Sequence, residues 1–239
     1  MTRRYLVVDD NRDFAENLAE ILRDSGDEVS IASGGPEALA LARGTRFDAL
    51  ITDMRMPLMG GAELVHEVRR IDPGLAALVI TAHAGDDALE AARREGLLAV
   101  LPKPVPVGRL LELVESARRD GLVVVVEDDQ RLSDNLCEVL RGRGFAAVTA
   151  ASVLETERLG PVRPFAALVD LRVPGGPDGE AMRRLSQRFP HLPIIVMTGV
   201  HGEAPLPTEA FFKKPFDTAA LLDAVERLHA AQPRPAAPR

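Results

Sequence analysis

VVVVEDDQ (residues 123–130) runs four valines straight into three acids, and LVVDDNRD (6–13) does much the same near the start of the chain. An unbroken apolar, β-rich run of this length reads as a strand buried on both faces. Each run ends in carboxylates, so negative charge collects at the carboxyl end of each strand. The surroundings repeat too. FDALITDMRMP (47–57) matches FAALVDLRVP (165–174), AALVITA (76–82) matches PIIVMTG (193–199), and LPKPV (101–105) matches FKKPF (212–216). Four blocks recur in the same order at similar spacing, which marks a two-copy duplication rather than a solenoid.

Each copy alternates strand and helix. In the first, strands are expected near 4–9, 28–31, 47–52, 76–81 and 98–101. Helices are expected after Asp10 to a stop at Gly26, near 36–43, at 61–70, near 86–95, and from Pro106, in the first turn, to Arg118. In the second, strands are expected near 122–127, 146–149, 165–169, 193–197 and 210–212, with helices near 130–142, 152–159, 179–189 and 217–230. Apolar strands between amphipathic helices imply an α/β fold, (βα)5 twice, each parallel sheet covered on both faces. The copies differ between strands four and five. Thr81 and Lys103 stand 22 positions apart, Thr198 and Lys214 only 16, and the shorter piece holds Pro205 and Pro207. The second copy is therefore expected to have a shortened or missing fourth helix. The junction RRDG (118–121) offers Gly121 as a helix stop with no flexible linker. The expected domains are 1–120 and 121–230, followed by a Pro/Ala-rich disordered tail, 231–239.

The bulk composition agrees. The 239 residues suffice for two ordinary domains. A net charge of −7, with basic residues concentrated in neither half, argues against direct nucleic-acid or membrane-surface binding. The single cysteine, Cys137, rules out an internal disulfide and a cysteine-built zinc site, and fits a cytoplasmic location. The N-terminal apolar run is too short for a signal peptide, and no run approaches the ~20 apolar residues that span a bilayer.

In an open parallel sheet, ligands bind outside the carboxyl ends of the strands. That rule gathers Asp9 and Asp10 from strand one, Asp53 from strand three, Thr81 from strand four and Lys103 from strand five. In the second copy it gathers Glu127, Asp128, Asp170, Thr198 and Lys214. Three carboxylates on one edge repel one another unless protons or a cation neutralise them, and hard oxygen ligands suit Mg²⁺, or Mn²⁺ in its place. Beside a metal, an ionised aspartate can attack phosphorus, and a lysine balances charge on the phosphoryl oxygens. Pro104 and Pro215 fix the chain direction after each lysine, plausibly through a cis peptide. Taken singly, the acids read equally well as helix caps. A lysine held between a buried strand and a proline, twice, argues against solvated lysines, and ordinary strand-end threonines are the lesser reading. Asp129 reads as an N-cap or outer-shell group, and Cys137 as core.

At these positions the sequence resembles two response-regulator receiver domains in tandem, over about 3–119 and 121–230. The resemblance implies two flavodoxin-like domains of strand order 2-1-3-4-5. It implies Asp9 with Asp10, and Glu127 with Asp128, as metal-binding pairs. Asp53 and Asp170 become phosphoacceptors and metal ligands, Thr81 and Thr198 switch hydroxyls, and Lys103 and Lys214 phosphate-binding lysines. The backbone carbonyl two residues past each acceptor, at Arg55 and Arg172, joins the metal ligands. Spacing agrees between copies: Asp10 to Asp53 is 43 positions and Asp128 to Asp170 is 42, while acceptor to hydroxyl is 28 in both.

The copies depart from the family pattern differently. The aromatic expected three residues before the lysine is Phe211 in the second copy but Val100 in the first. The loop DLRVPGGPDG is one residue longer than DMRMPLMGG. Arg55 and His83, against Arg172 and Val200, flank the path of a hydrolytic water, which suggests different phosphate lifetimes. The family implies a phosphorelay protein served by a histidine kinase or histidine phosphotransfer protein. Its output would be changed partner binding, with a homodimer possible and no DNA-binding output domain. The competing expectation is an adaptor in which the second receiver, or both, docks partners without phosphorylation. Neither acceptor has a second acid two residues on, so a separate hydrolase is disfavoured and turnover would be self-dephosphorylation.

Overall fold

The computed structural model describes residues 2–82, 96–199 and 204–232. The chain divides into two compact units, the first made of Met1–Leu122 with Leu140–Val148 and Leu159–Arg163, the second of the remaining segments. The first sheet contains β1 (Arg4–Val8), β2 (Glu28–Ala32), β3 (Ala49–Asp53), β4 (Ala76–Thr81) and β5 (Ala99–Pro102). The order is β2-β1-β3-β4-β5, and the neighbouring strands pair in parallel. Helices α1 (Arg12–Asp24), α2 (Gly35–Gly44), α3 (Gly61–Ile71) and α4 (Val107–Ser116) connect the strands. The helix expected near 86–95 lies outside the described residues.

Alternation along the strands explains the three layers. Leu6, Val8 and Leu50 face one side and join Ala38 and Leu39 of α2 and Leu64 and Val68 of α3 in one buried cluster. Tyr5, Val7, Ala49 and Ile51 face the other and join Leu18 and Leu22 of α1 and Leu110 and Leu113 of α4. Each strand residue thus has an apolar layer to enter whichever way it points, which is why the strands read as continuous apolar runs.

The second sheet contains β6 (Leu122–Val126), β7 (Ala146–Ala150), β8 (Ala166–Asp170), β9 (Ile194–Thr198) and β10 (Ala210–Lys213). Its order, β7-β6-β8-β9-β10, is the same 2-1-3-4-5 arrangement. Its helices are α5 (Gln130–Gly142), α6 (Val153–Glu157), α7 (Glu180–Arg188) and α8 (Thr218–Ala230). Leu136, Cys137, Met182, Leu185, Leu221 and Val225 are buried from these helices, so Cys137 is a core residue as expected. No helix occurs among the described residues between β9 and β10. The molecule has the tandem flavodoxin-like receiver fold.

Local chemistry repeats with the fold. Glu37 reaches back to the Ser33 N–H (2.8 Å), and Glu155, its counterpart, to the Ala151 N–H (2.8 Å). Each supplies an orphan donor ahead of a helix with an acceptor, as a capping box does. The end of α4 departs from expectation. Pro106 is the N-cap rather than a first-turn residue, and the helix stops at Ser116, with Ala117, outside the helical region, as its C-cap. The left-handed residue that redirects the chain is Asp120 (φ 52°), not Gly121. Aspartate enters that region more readily than most side chains because its short carboxylate bonds locally.

Candidate functional site

The two site edges are built from strand ends. β1 delivers Asp9 and Asp10, β3 Asp53, β4 Thr81, and β5 is followed by Lys103. Asp9, Asp53 and Thr81 are buried, whereas Asp10 is exposed. The Lys103 ammonium meets Asp9 Oδ2 at 2.8 Å and Asp53 Oδ1 at 2.5 Å. The lysine N–H also donates to the Thr81 carbonyl at 2.9 Å, holding the strand-four and strand-five ends together. In the second unit Lys214 meets Glu127 Oε2 at 2.7 Å and Asp170 Oδ2 at 2.6 Å, and its N–H donates to the Thr198 carbonyl at 2.8 Å. Glu127, Asp170 and Thr198 are buried and Asp128 is exposed. Both Lys–Pro bonds are cis.

Burial alone would push each ammonium toward neutrality. The carboxylates outweigh it: hydrogen bonds and charge from Asp53 and Asp9 hold the Lys103 pKa above its ordinary value, and Asp170 and Glu127 do the same for Lys214. Glu127 is raised above the usual glutamate value, chiefly by burial, with Lys214 pulling the other way.

The acceptor loops are drawn close by backbone bonds. Arg55 N–H donates to Asp53 Oδ2 (2.5 Å) and Arg172 N–H to Asp170 Oδ1 (3.0 Å). Gly61 N–H reaches the Met54 carbonyl (2.9 Å), and Gly179 N–H the Leu171 carbonyl (2.7 Å), so both loops close on the residue after the aspartate. Gly61 must be glycine, since a Cβ there would run into the Asp53 carbonyl oxygen. The extra residue of the second loop is accommodated with left-handed glycines at 175 and 179, while the first loop places Leu58 at φ 68°.

Three details escaped the sequence. The Lys103 ammonium sits 4.3 Å from the centre of the Phe14 ring, a cation–π contact. Phe14 has the ordinary apolar spacing of an amphipathic helix, and its counterpart in α5 is Leu132. Leu58 is 95% exposed beside the first site. Arg172 pairs with Asp178 (3.0 Å) across the longer loop. Asp129 accepts from the Arg131 and Leu132 N–H groups, as Asn11 does from Phe14 N–H, so it caps α5. His83 and Val200 lie outside the described residues.

Carboxylate oxygens of Glu127, Asp128 and Asp170 all lie within 4.8 Å of one another, the one such acidic cluster among the described residues. A set of hard anionic oxygens at that spacing suits Mg²⁺.

The model of the response regulator receiver domain matches residues 5–115. A response regulator receiver protein of Anaeromyxobacter sp. (strain Fw109-5) is 77% identical over 227 residues, 95% of each chain. The chain belongs to the response regulator receiver family. The transcriptional regulatory protein PrrA of Mycobacterium leprae is 37% identical to this receiver over 116 residues, 48% of this chain and 50% of that one. Among solved structures, a CheY-like receiver domain protein from Methanospirillum hungatei JF-1 is 30% identical over 48% of this chain and 92% of its own, with a TM-score of 0.47. The family model and the 77% identical relative make this a response regulator receiver of two-component signalling. No helix among its described residues is long and apolar enough to cross a membrane.

Proposed function

We propose that each half of the chain is a working phosphoacceptor, with Asp53 and Asp170 as the accepting residues. The observation that carries this reading is the same in both units: one lysine ammonium reaches the carboxylates at the ends of two strands, 2.8 and 2.5 Å in the first and 2.7 and 2.6 Å in the second. The donor would be a phosphohistidine on a kinase or phosphotransfer partner. A carboxylate oxygen of Asp53 or Asp170 attacks phosphorus, the O–P bond forms, the N–P bond breaks, and the departing imidazole nitrogen keeps the electron pair and takes a proton.

Asp9, Asp10 and Asp53, with the Arg55 carbonyl, would hold Mg²⁺ in the first unit. Glu127, Asp128 and Asp170, with the Arg172 carbonyl, would hold it in the second. The ion, when bound, neutralises the carboxylates and the phosphoryl oxygens. Lys103 and Lys214, kept charged by their neighbours, shift from carboxylate to phosphoryl oxygen. Thr81 and Thr198, at the ends of the neighbouring strands, offer hydroxyls to the same group. Changed partner binding would carry the signal onward.

Intact mass after incubation with Mg²⁺ and a small-molecule phosphodonor tests this. Two phosphoryl groups are expected on the wild type, and one on each of Asp53→Asn and Asp170→Asn. Uptake of one group, lost only with Asp53→Asn, would instead make the second receiver a docking module.

A further inference from the structure

The second sheet ends on an edge unlike that of the first. β10 closes the order, bonded only to β9 among the described residues. From 204 to 220 no residue is buried, and Phe211 is 45% exposed. Its counterpart β5 buries Leu101 and ends in Pro102, a residue that cannot donate to a further strand. β10 has Lys213 at that position and no proline within it. An aromatic edge strand that is not blunted in this way is a template for pairing with another strand.

The register selects the partner. The Lys214 N–H donates to the Thr198 carbonyl of β9 (2.8 Å), in the register that sets Lys213 beside Thr198. Backbone groups alternate along a strand, so those of Phe211 and Lys213 turn outward. An antiparallel copy of the same strand can then bond Phe211 to Phe211 about a twofold axis. That register sets Phe211 opposite Phe211 and Glu209 opposite Lys213 twice. Shifting it to centre on Ala210 or Phe212 breaks both charge pairings. Cross-strand aromatic and opposite-charge pairs are the units that stabilise such contacts.

We propose that β10 pairs edge to edge with β10 of a second copy of this chain, antiparallel and centred on Phe211. The contact is small, so the dimer is weak and concentration-dependent. It requires neither phosphorylation nor metal, and so stands apart from the reading above.

Sedimentation velocity of the full chain over a concentration series tests it with charge reversals. Glu209→Lys and Lys213→Glu each place like charges opposite one another at two symmetric positions, and each should weaken dimerisation by roughly five- to tenfold. The double variant Glu209→Lys/Lys213→Glu should dimerise like wild type. An equimolar mixture of the two single variants should also recover, through a mixed dimer with both pairings restored. Melting temperatures of the variants, compared with wild type, guard against misfolding. A wild type that stays monomeric throughout, single variants that dimerise as well as wild type, or a mixture that fails to recover would each overturn the proposal.

Discussion

Lys103 is held from three directions: Asp9, Asp53 and the face of Phe14. The carboxylates set its charge, while the ring limits where that charge can go. In the second receiver Lys214 instead takes both oxygens of Glu127, at 2.9 and 2.7 Å, and Leu132 replaces the ring. Phe14 is therefore a positioning residue for the first receiver alone. A cation–π contact at a partly exposed site contributes about 1 kcal/mol. On an Asp170→Asn background, Phe14→Leu should slow phosphorylation of Asp53 by roughly three- to tenfold, as read from the mass shift with time. Phe14→Tyr, which keeps the π face, should leave the rate near wild type. Equal slowing by Leu and Tyr would reduce Phe14 to a packing residue. The sequence showed both aspartates and the lysine because their types and spacing recur. It could not show Phe14, since a phenylalanine on the first turn of an amphipathic helix has the same periodicity whether it covers the core or a lysine.

At the level of elements, most strand boundaries were legible because burial on both faces forces continuous apolar strands, whereas the strand order followed only from the resemblance to receivers. Where tertiary packing relaxes, legibility falls. AFFK on β10 looks as apolar as any strand, yet no residue in it is buried, because what covers a strand lies far away in sequence. The end of α4 was misplaced for a related reason: Gly121 signalled a stop, but Asp120 turned the chain. β1 offers a measurable consequence of burial. Tyr5, the only tyrosine, in a chain with no tryptophan, lies in the core with its hydroxyl 3.4 Å from the Val114 carbonyl. Burial first, and the negative charge of Asp27 second, push its pKa from 10.0 up to about 12. The folded state thus keeps a proton that the unfolded state releases. The stabilisation is fully present below pH 10 and is lost as pH rises toward about 12. Near-ultraviolet absorbance should show tyrosinate only at that high pH in folded protein, and near the ordinary value in denaturant. Titration of the folded chain near pH 10 would contradict the buried placement.

For the whole molecule, the two copies carry the same kinds of side chain at the proposed sites but differ in how the lysine engages the carboxylates. In the first receiver, Asp9 gives one oxygen to Lys103 (2.8 Å) and the other to the Asn11 N–H (2.9 Å). In the second, Lys214 takes three carboxylate oxygens, two from Glu127 and one from Asp170, and the backbone bond to Glu127 is longer, 3.3 Å. A divalent ion entering either site must share those oxygens with the ammonium, and the second lysine has more contacts to give up. Glu127, Asp128 and Asp170 already lie close together, but the three lysine contacts must be given up before an ion can use them. Two Mg²⁺ binding events of unequal affinity are therefore expected, with the second receiver the weaker. Calorimetric titration of the full chain should resolve them. Asp10→Ala should remove the tighter event and Asp128→Ala the weaker one, since both residues are exposed and tolerate truncation without disturbing the core. Each occupied site adds stability by mass action, about 2.7 kcal/mol at a hundredfold excess over the dissociation constant. Thermal unfolding with chelator and with Mg²⁺ should therefore show a smaller gain in each variant than in wild type. A single event lost with Asp10→Ala and untouched by Asp128→Ala would mean that Lys214 has taken the cation's place for good, and that the second copy has become a receiver fold without a metal.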